Sequence, residues 1–186
     1  IDLAKRTAQC LKIYEEVKAL KRELQIMGAT HIDLVMGGSP SFPVYATLTD
    51  VVCSPGTFVY WDGNYAKGLP EQKFLQAALV IGRIVSFPAD DLITVDIGHK
   101  SVASESALTN RITFLNAPEL TAVAHSEEHL VLSAPSNHQF KLGQVLYGVP
   151  AHVCPTCALY EYSTLIQTHT IVGTFETIAR DRTIHI

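Results

Sequence analysis

Residues 31–40 read HIDLVMGGSP, a compact β-type run that ends in a glycine-rich turn. The residues before it, 2–27, carry leucine, tyrosine and valine at helical spacing with Lys and Glu between them, which predicts one amphipathic helix. Gly28 stands where the C-terminal cap of that helix belongs. Helix, strand and glycine-rich loop make one α/β step. Beyond it the sequence predicts a short helix at 44–50 and short β runs at 51–53 and 57–61.

From about Phe74 the pattern changes to β-type runs separated by Pro, Gly, Asn and Asp, which is typical of an all-β module. These runs lie at 77–87, 92–97, 111–115, 129–132, 145–149, 152–153 and 171–178. The predicted class is therefore α+β. An α/β portion covers residues 1–73, and a β-barrel or β-sandwich covers residues 74–186.

The α/β portion is too small to stand alone as a parallel sheet. One long helix and two or three strands cannot cover both faces of such a sheet, so we expect that other chain segments or a partner complete it. The first residue is Ile1 rather than Met. The N-terminus therefore reads as a cut in a longer protein.

Composition excludes several classes of protein. The chain has 186 residues, of which 47% are hydrophobic and 17% charged, so it is not a disordered tail. The net charge is -4 and the 14 basic residues are spread out, which argues against a nucleic-acid partner. No apolar run is long enough for a membrane span, and no signal-peptide pattern opens the chain. Four cysteines are too few for a disulfide scaffold, and the predicted location is cytoplasmic.

The triplet His152-Val153-Cys154 is the strongest local signal for chemistry. In a strand, side chains two positions apart point to one face, so the imidazole and the thiolate would converge on one ion. Both groups are preferred Zn²⁺ ligands, and two protein ligands leave coordination positions for water or substrate. Pro150 and Pro155 bracket the triplet and would limit the strand. Two alternatives stay open: a buried thiol beside a partly exposed histidine, and a redox or zinc C-x-x-C pair made of Cys154 and Cys157.

Three other segments carry polar groups that suit a site. Gly37-Gly38-Ser39 follows a predicted strand and can cradle a phosphate with its backbone N–H groups, although an ordinary Gly-Gly turn explains it as well. The segment 126–129, SEEH, is an acid/base group, a third metal contact or a solvated acidic turn, and the last reading is preferred. The turn at 96–100 is equally ambiguous. The isolated histidines are expected to have no role; they are His31, His125, His138, His169 and His185.

Six segments together resemble the D-threonine aldolase/D-serine dehydratase family, pyridoxal-phosphate enzymes of the alanine-racemase fold type. They are GGSPSFP at 37–43, SPGTFVYWD at 54–62, VDIGHKSVASE at 95–105, SEEH at 126–129, PAHVCPTCALY at 150–160 and ARDR at 179–182. The resemblance spans nearly the whole chain. It implies that residues 1–73 are the last part of a (β/α)₈ barrel and that residues 74–186 are the β domain that follows it.

The resemblance also implies site residues. The family's phosphate-binding loop maps onto Gly37, Gly38 and Ser39, and its metal pair maps onto His152 and Cys154. The metal expected at this pair is Zn²⁺; related aldolases can use Mn²⁺. The Schiff-base lysine lies near the family's N-terminus, so the catalytic residues are unassigned and this chain alone is expected to be inactive. None of the lysines occupies that motif: Lys5, Lys12, Lys18, Lys21, Lys67, Lys73, Lys100 and Lys141.

The activity implied is that of a metal-activated lyase acting on D-β-hydroxy-amino acids, here the retro-aldol cleavage of D-threonine to glycine and acetaldehyde. The alternatives are a D-serine dehydratase, which gives pyruvate and ammonia, and a non-catalytic zinc-binding β module. Expected partners are the D-amino acid substrate and either a second copy of the chain or the missing N-terminal half. Ala151, Val52 and Leu130 depart from residues common in the family and leave substrate choice open.

Overall fold

A computed structural model describes residues 2–181, so Arg182 of the ARDR segment and His185 lie outside the described residues. The chain divides into two compact units. The α/β unit comprises the residues up to Trp61 together with Tyr65–Leu75, and the β unit comprises Asp62–Asn64 and the residues from Gln76 onward. Across the described residues, no helix combines the length and the apolar character that a membrane crossing requires.

The α/β unit is built on one long helix and two short parallel strands. In chain order the elements are α1 (Leu3–Ile26), β1 (Leu34–Gly37), α2 (Phe42–Tyr45), β2 (Val51–Ser54) and a 3₁₀ turn (Thr57–Val59). A further short helix, α3 (Gly63–Gly68), begins among residues of the β unit. The helix predicted at 44–50 is therefore shorter than expected and starts two residues earlier.

Capping groups fix both ends of α1. The Asp2 carboxylate accepts a hydrogen bond from the N–H of Ala4. At the other end Gly28 has φ +103°, and its N–H donates to the carbonyl of Gln25 while that of Ala29 donates to the carbonyl of Leu24. This pair of bonds is the Schellman motif, in which glycine adopts the left-handed conformation without steric cost. The predicted cap at Gly28 is confirmed.

The buried face of α1 differs from the predicted one. Arg6, Cys10 and Tyr14, spaced by four residues, are the buried positions of α1, and the last two pack on Leu34 and Met36 of β1. The predicted apolar stripe is largely exposed; its exposed members include Leu3, Leu11, Leu20, Leu24 and Met27. A two-stranded sheet is too narrow to cover a helix of 24 residues, so only one narrow face is buried.

Strands β1 and β2 run parallel, with Leu34 opposite Val51 and Gly37 opposite Ser54. Both strands therefore end at the same edge, and the loops that follow them begin side by side. The β run predicted at 57–61 is wrong: its first residues form the 3₁₀ turn, and Trp61 is buried against Tyr65 and Phe74. Aromatic residues favour strands only where a sheet offers them a surface, and here an aromatic cluster takes that place.

Within the described residues, the β unit carries eight strands, all in antiparallel pairs. They are β3 (Val80–Ala89), β4 (Leu92–Val95), β5 (Ile112–Phe114), β6 (Thr121–His125), β7 (Leu130–Ser133), β8 (Val145–Pro150), β9 (Tyr162–Gln167) and β10 (Thr170–Glu176). Six of them form one sheet in the order β5-β8-β3-β4-β7-β6, and β9 and β10 form a separate hairpin. The end strands β5 and β6 do not pair, so the large sheet is open rather than a hydrogen-bonded closed barrel.

One apolar cluster fills the concave side of this sheet. Alternate residues along the strands point inward, as the two-residue period of a strand requires. The completely buried members include Ile93, Val95, Ile97, Leu130 and Leu146. Strands β6 and β9 were not predicted from the sequence, whereas the other six coincide with predicted runs.

Candidate phosphate and metal sites

The glycine loop of the α/β unit leaves β1 at the edge that it shares with the end of β2. Gly38 has φ +92°, a conformation that favours glycine. The Ser41 hydroxyl lies 2.7 Å from the carbonyl oxygen of Gly37 and 3.0 Å from that of Gly38, and its single hydrogen bridges the turn. Ser54, at the end of β2, lies opposite Gly37. The chain therefore turns sharply here, with a second loop starting beside it.

Contacts from a later segment of the same unit fix this loop. Ser39 is buried, and its carbonyl oxygen accepts a hydrogen bond of 2.9 Å from Nε2 of Gln72. The carbonyl oxygens of Gly37, Gly38 and Ser39 thus all accept hydrogen bonds from within the unit. A tight glycine-rich turn at the C-terminal end of a parallel strand has the backbone form that phosphate-binding loops use. Gly37, Gly38 and Ser39 therefore stay the predicted phosphate residues, in a turn of that type.

The second site lies in the β unit, where strand β8 ends. His152 is the N-terminal cap of a short helix, α4 (Val153–Cys157), and has extended φ and ψ of -130° and 107°. Cys154 is the second residue of that helix. The prediction that His152 and Cys154 share one face of a strand is therefore wrong, and so is the β run at 152–153.

Two side chains and one proline explain why the chain turns into a helix here. The Thr156 hydroxyl donates to the carbonyl of His152 at 2.8 Å, and the N–H of Val153 donates to the buried carboxylate of Asp62 at 3.1 Å. Pro155 falls in the first turn of α4, where a backbone N–H has no partner within the helix. Pro155, which was predicted to limit a strand, is compatible with the start of a helix.

The imidazole of His152 is held by a carboxylate. Its Nδ1 lies 2.7 Å from Oε1 of Glu105, and both side chains are about half exposed. Burial acts to raise the pKa of the Glu105 carboxyl, but hydrogen bonds from its own backbone and from His152 outweigh it, so that pKa lies below its ordinary value. A histidine oriented by a carboxylate on one nitrogen is the arrangement that metal-binding histidines commonly have.

The two cysteines of the C-x-x-C pair differ in environment. Cys154 is exposed, whereas Cys157 is partly buried. Burial, and then the charge of Cys154, raise the pKa of the Cys157 thiol, so Cys157 stays protonated at neutral pH. None of the cysteines in the described part of the chain forms a disulfide. These environments favour Cys154 over Cys157 as a metal ligand and give no support to a redox pair.

The donor set at α4 suits a metal held by few protein ligands. His152 and Cys154 supply one imidazole and one exposed thiol, both of them zinc-type donors. Within residues 2–181, no three His, Cys, Asp or Glu side chains gather as they would around an ion. His152 and Cys154 therefore stay the predicted pair of donors, which would leave coordination positions for water or substrate.

The acidic segment 126–129 forms a turn that packs against the turn at 96–100. The ammonium of Lys100 pairs with Glu127 at 2.8 Å and with Glu128 at 2.7 Å, and the two carboxylates raise the pKa of Lys100. The N–H of His99 donates to the carbonyl of Ser126. Both carboxylates are exposed, which agrees with the preferred reading of a solvated acidic turn.

Comparison with known proteins shows which proteins this chain is similar to. Residues 77–166 match the family model described as "Putative serine dehydratase domain". A D-threonine aldolase of Arthrobacter sp. is 27% identical over 153 residues. The solved D-threonine aldolase of Filomicrobium marinum superposes with a TM-score of 0.82 at 22% identity over 96% of this chain. The solved D-threo-3-hydroxyaspartate dehydratase of Delftia sp. HT23 superposes with a TM-score of 0.78 at 18% identity over 94% of this chain.

These matches support the D-threonine aldolase/D-serine dehydratase family as the one that this chain resembles. The chain spans about half the length of the relatives that it matches: 40% of the Arthrobacter aldolase, 49% of the Filomicrobium structure and 52% of the Delftia structure. Two further solved structures are alanine variants of a D-threo-3-hydroxyaspartate dehydratase. One replaces a histidine and the other a cysteine two positions later, and the cysteine variant is described as the metal-free form.

The sequence did not predict three residues that shape the backbone and imidazole around His152. Glu105 is 47 positions from His152, and Asp62 is 91 positions from Val153. Thr156 was quoted within a family segment but given no role. Glu105 and Asp62 each end a family segment, which is the one signal that could have found them. No local spacing predicts a contact over such distances along the chain.

Proposed function

We propose that this chain is the C-terminal portion of a metal-activated, pyridoxal-phosphate-dependent lyase that cleaves D-threonine to glycine and acetaldehyde. The observation that carries the proposal is the oriented His152 imidazole two positions from the exposed Cys154 thiol, in a chain that resembles the D-threonine aldolase/D-serine dehydratase family. The family variants support the pair, because they differ from the parent at a histidine and a cysteine of the same spacing.

Each candidate residue then has a role. His152 and Cys154 would hold a Zn²⁺ or Mn²⁺ ion, whose chemistry is to bind the β-hydroxyl of the substrate and lower its pKa. Gly37, Gly38 and Ser39 would hold the phosphate of pyridoxal phosphate, which supplies an electron sink when bound. The lysine that bonds covalently to the cofactor would lie in a part of the protein outside these 186 residues.

A dehydratase is the second candidate, and two observations favour it: the matching family model is that of a serine dehydratase, and the solved metal-free variant is a dehydratase. Aldol cleavage needs the hydroxyl proton removed, whereas dehydration needs the whole hydroxyl group to leave. A metal held by His152 and Cys154 would assist either reaction, because it would withdraw electron density from the same oxygen.

Product analysis separates the candidates. The natural protein that contains this chain would be supplied with pyridoxal phosphate and Zn²⁺ or Mn²⁺, then given D-threonine, D-serine or L-threonine. Glycine and acetaldehyde from D-threonine support the aldolase. Pyruvate and ammonia from D-serine, or 2-oxobutanoate and ammonia from D-threonine, identify the dehydratase. Bound metal without turnover of any of the three substrates would leave the non-catalytic zinc module as the better description.

The matched variants are His152→Ala and Glu119→Ala. The first removes a proposed metal ligand and is expected to abolish turnover of the preferred substrate, while the second removes a carboxylate between β5 and β6 and should leave turnover unchanged. Full activity of His152→Ala would refute the proposed metal role.

A further inference from the structure

The loop that carries Glu105 is fastened to α4 and the residues after it. The Tyr160 hydroxyl donates to the carbonyl of Ser101 at 2.7 Å, and the N–H of Ala103 donates to the Thr156 hydroxyl at 3.2 Å. On the other side of Glu105, Nε of Arg111 donates to the carbonyl of Ser106 at 2.9 Å. The backbone on both sides of Glu105 is therefore held in place.

The backbone of His152 is fixed as well, and partly by the same residue. The Thr156 hydroxyl donates to the His152 carbonyl while it accepts from Ala103, so one buried side chain joins the Glu105 loop to the His152 backbone. The neighbouring N–H groups of Ala151 and Val153 donate to Arg111 and Asp62. Because both backbones are already ordered, the contact of Glu105 with His152 needs less side-chain ordering than an ordinary surface ion pair.

The chemistry of the contact decides which imidazole nitrogen carries the proton. An ionised carboxylate can only accept a hydrogen bond, so Nδ1 of His152 must donate to Glu105. In the neutral imidazole Nε2 then has the free lone pair, and Nε2 is the only nitrogen that can bind a metal.

We propose that Glu105 is a positioning residue that fixes the Nδ1–H tautomer of His152 and aims its Nε2 at the metal. This inference rests on the proposed metal role of His152. A carboxylate in this position also makes the imidazole more basic and therefore a better ligand. A plain surface ion pair would give none of these effects on tautomer or metal affinity.

The first test needs no metal. Long-range ¹⁵N–¹H NMR spectra of the natural protein that contains this chain, free of metal and at pH 8, report which nitrogen of His152 is protonated, with assignment from the spectrum of His152→Ala. We expect Nδ1–H in the wild type and in Glu105→Gln, whose amide oxygen still accepts a hydrogen bond. Glu105→Ala should move the population toward Nε2–H, the tautomer that histidine prefers in water. An unchanged tautomer in Glu105→Ala would overturn the proposal.

The second test is Zn²⁺ affinity, measured by competition with a coloured chelator. Glu105→Ala should weaken binding by about 10- to 100-fold, the range found for outer-shell partners of metal-binding histidines. Glu105→Gln should lose less Zn²⁺ affinity than Glu105→Ala, and Glu119→Ala should bind Zn²⁺ as tightly as the wild type does. Weaker binding in His152→Ala with none lost in Glu105→Ala would overturn this inference alone. Equal affinity of His152→Ala and wild type would overturn the proposed metal site and this inference together.

Discussion

A β-carbon added at Gly98 would lie 2.0 Å from the carbonyl oxygen of Glu127. The turn that follows β4 is therefore packed against the backbone of the acidic turn, with no room for a side chain. The bonds from His99 and Lys100 to the carbonyls of Ser126 and Glu127 hold the two turns at this distance. Glycine at 98 is a requirement of this close approach.

Gly98→Ala should therefore destabilise the protein strongly. The atoms in the way belong to the backbone and cannot move aside as a side-chain end could, so we expect the free energy of unfolding to fall by about 3 kcal/mol. Urea unfolding followed by circular dichroism measures the change. Gly56→Ala is the control because nothing lies within 4 Å of its added carbon, and it should be neutral or slightly stabilising. Equal stability of the two variants would contradict the close packing at Gly98.

His125, the last residue of β6, and its neighbour His99 predict a pH dependence of stability. Nη1 of Arg111 donates to Nδ1 of His125 at 2.9 Å, and the His99 ring packs edge-on against His125. Burial, the charge of His99 and the charge of Arg111 all lower the pKa of His125 below its ordinary value of 6.5. His125, expected from the sequence to have no role, is thus held neutral in the folded state.

The sign of the effect follows from proton linkage. Below pH 6.5 the unfolded chain binds a proton at His125 that the folded chain does not, so the stabilisation is complete above pH 6.5 and is lost as the pH falls toward the folded pKa. Urea midpoints between pH 8 and pH 5 should fall more steeply for the wild type than for His125→Gln, which cannot titrate at this position. Parallel curves for the two proteins would show that His125 does not contribute.

The sequence predicts those features that depend on neighbours along the chain. The cap at Gly28 follows from local chemistry, and six of the eight strands of the β unit follow from residue spacing. The buried face of α1 could not be predicted in this way, because it depends on which residues of β1 reach the helix.

The same contrast between local and long-range features holds for the proposed metal site. His152 and Cys154 could be selected as candidates from their side-chain chemistry. Their backbone conformation could not be predicted, because Asp62 and Thr156 determine it through hydrogen bonds to Val153 and His152. Proline at 155 suits both a strand end and the first turn of a helix. The choice between them rests on contacts distant in sequence, which spacing does not reveal.

The glycine loop after β1 predicts a loss of phosphate affinity on a single substitution. Gly38→Ala would place a β-carbon on a residue with φ +92° and 3.2 Å from the Ser41 hydroxyl that closes the turn. We expect a loss of about 1–2 kcal/mol in stability and, if one backbone N–H is turned away, a roughly tenfold loss in affinity for phosphate.

Titration of the chain with inorganic phosphate and with pyridoxal phosphate, followed by calorimetry, measures the second effect. Gly68→Ala is the control, since its added carbon meets nothing within 4 Å and its φ is not positive. Equal phosphate affinity in Gly38→Ala and Gly68→Ala would exclude the loop at 37–39 as the phosphate site.

The two cysteines of α4 give the most direct test of the proposed metal pair. Cys154→Ser removes a proposed ligand, so its loss of Zn²⁺ affinity should exceed the roughly 10- to 100-fold loss typical of outer-shell changes. Cys157→Ser should have little effect, because burial and the charge of Cys154 keep the Cys157 thiol protonated. Affinity in the wild type should also fall as the pH drops, since imidazole and thiolate bind metal only when deprotonated.

Zinc content after purification without chelator, measured for the wild type and for both serine variants, separates the two sulfur atoms. The two substitutions are chemically identical and lie in one short helix. Because Cys157 is the more buried of the two, a general loss of structure would be greater in Cys157→Ser, whereas loss of the proposed ligand affects Cys154→Ser. Thermal unfolding of the metal-free proteins provides the check that both variants are folded. Zinc lost from Cys157→Ser alone, or retained equally in Cys154→Ser and wild type, would show that the metal does not use Cys154. Zinc lost from Cys154→Ser alone would support Cys154 as the sulfur ligand of the proposed pair.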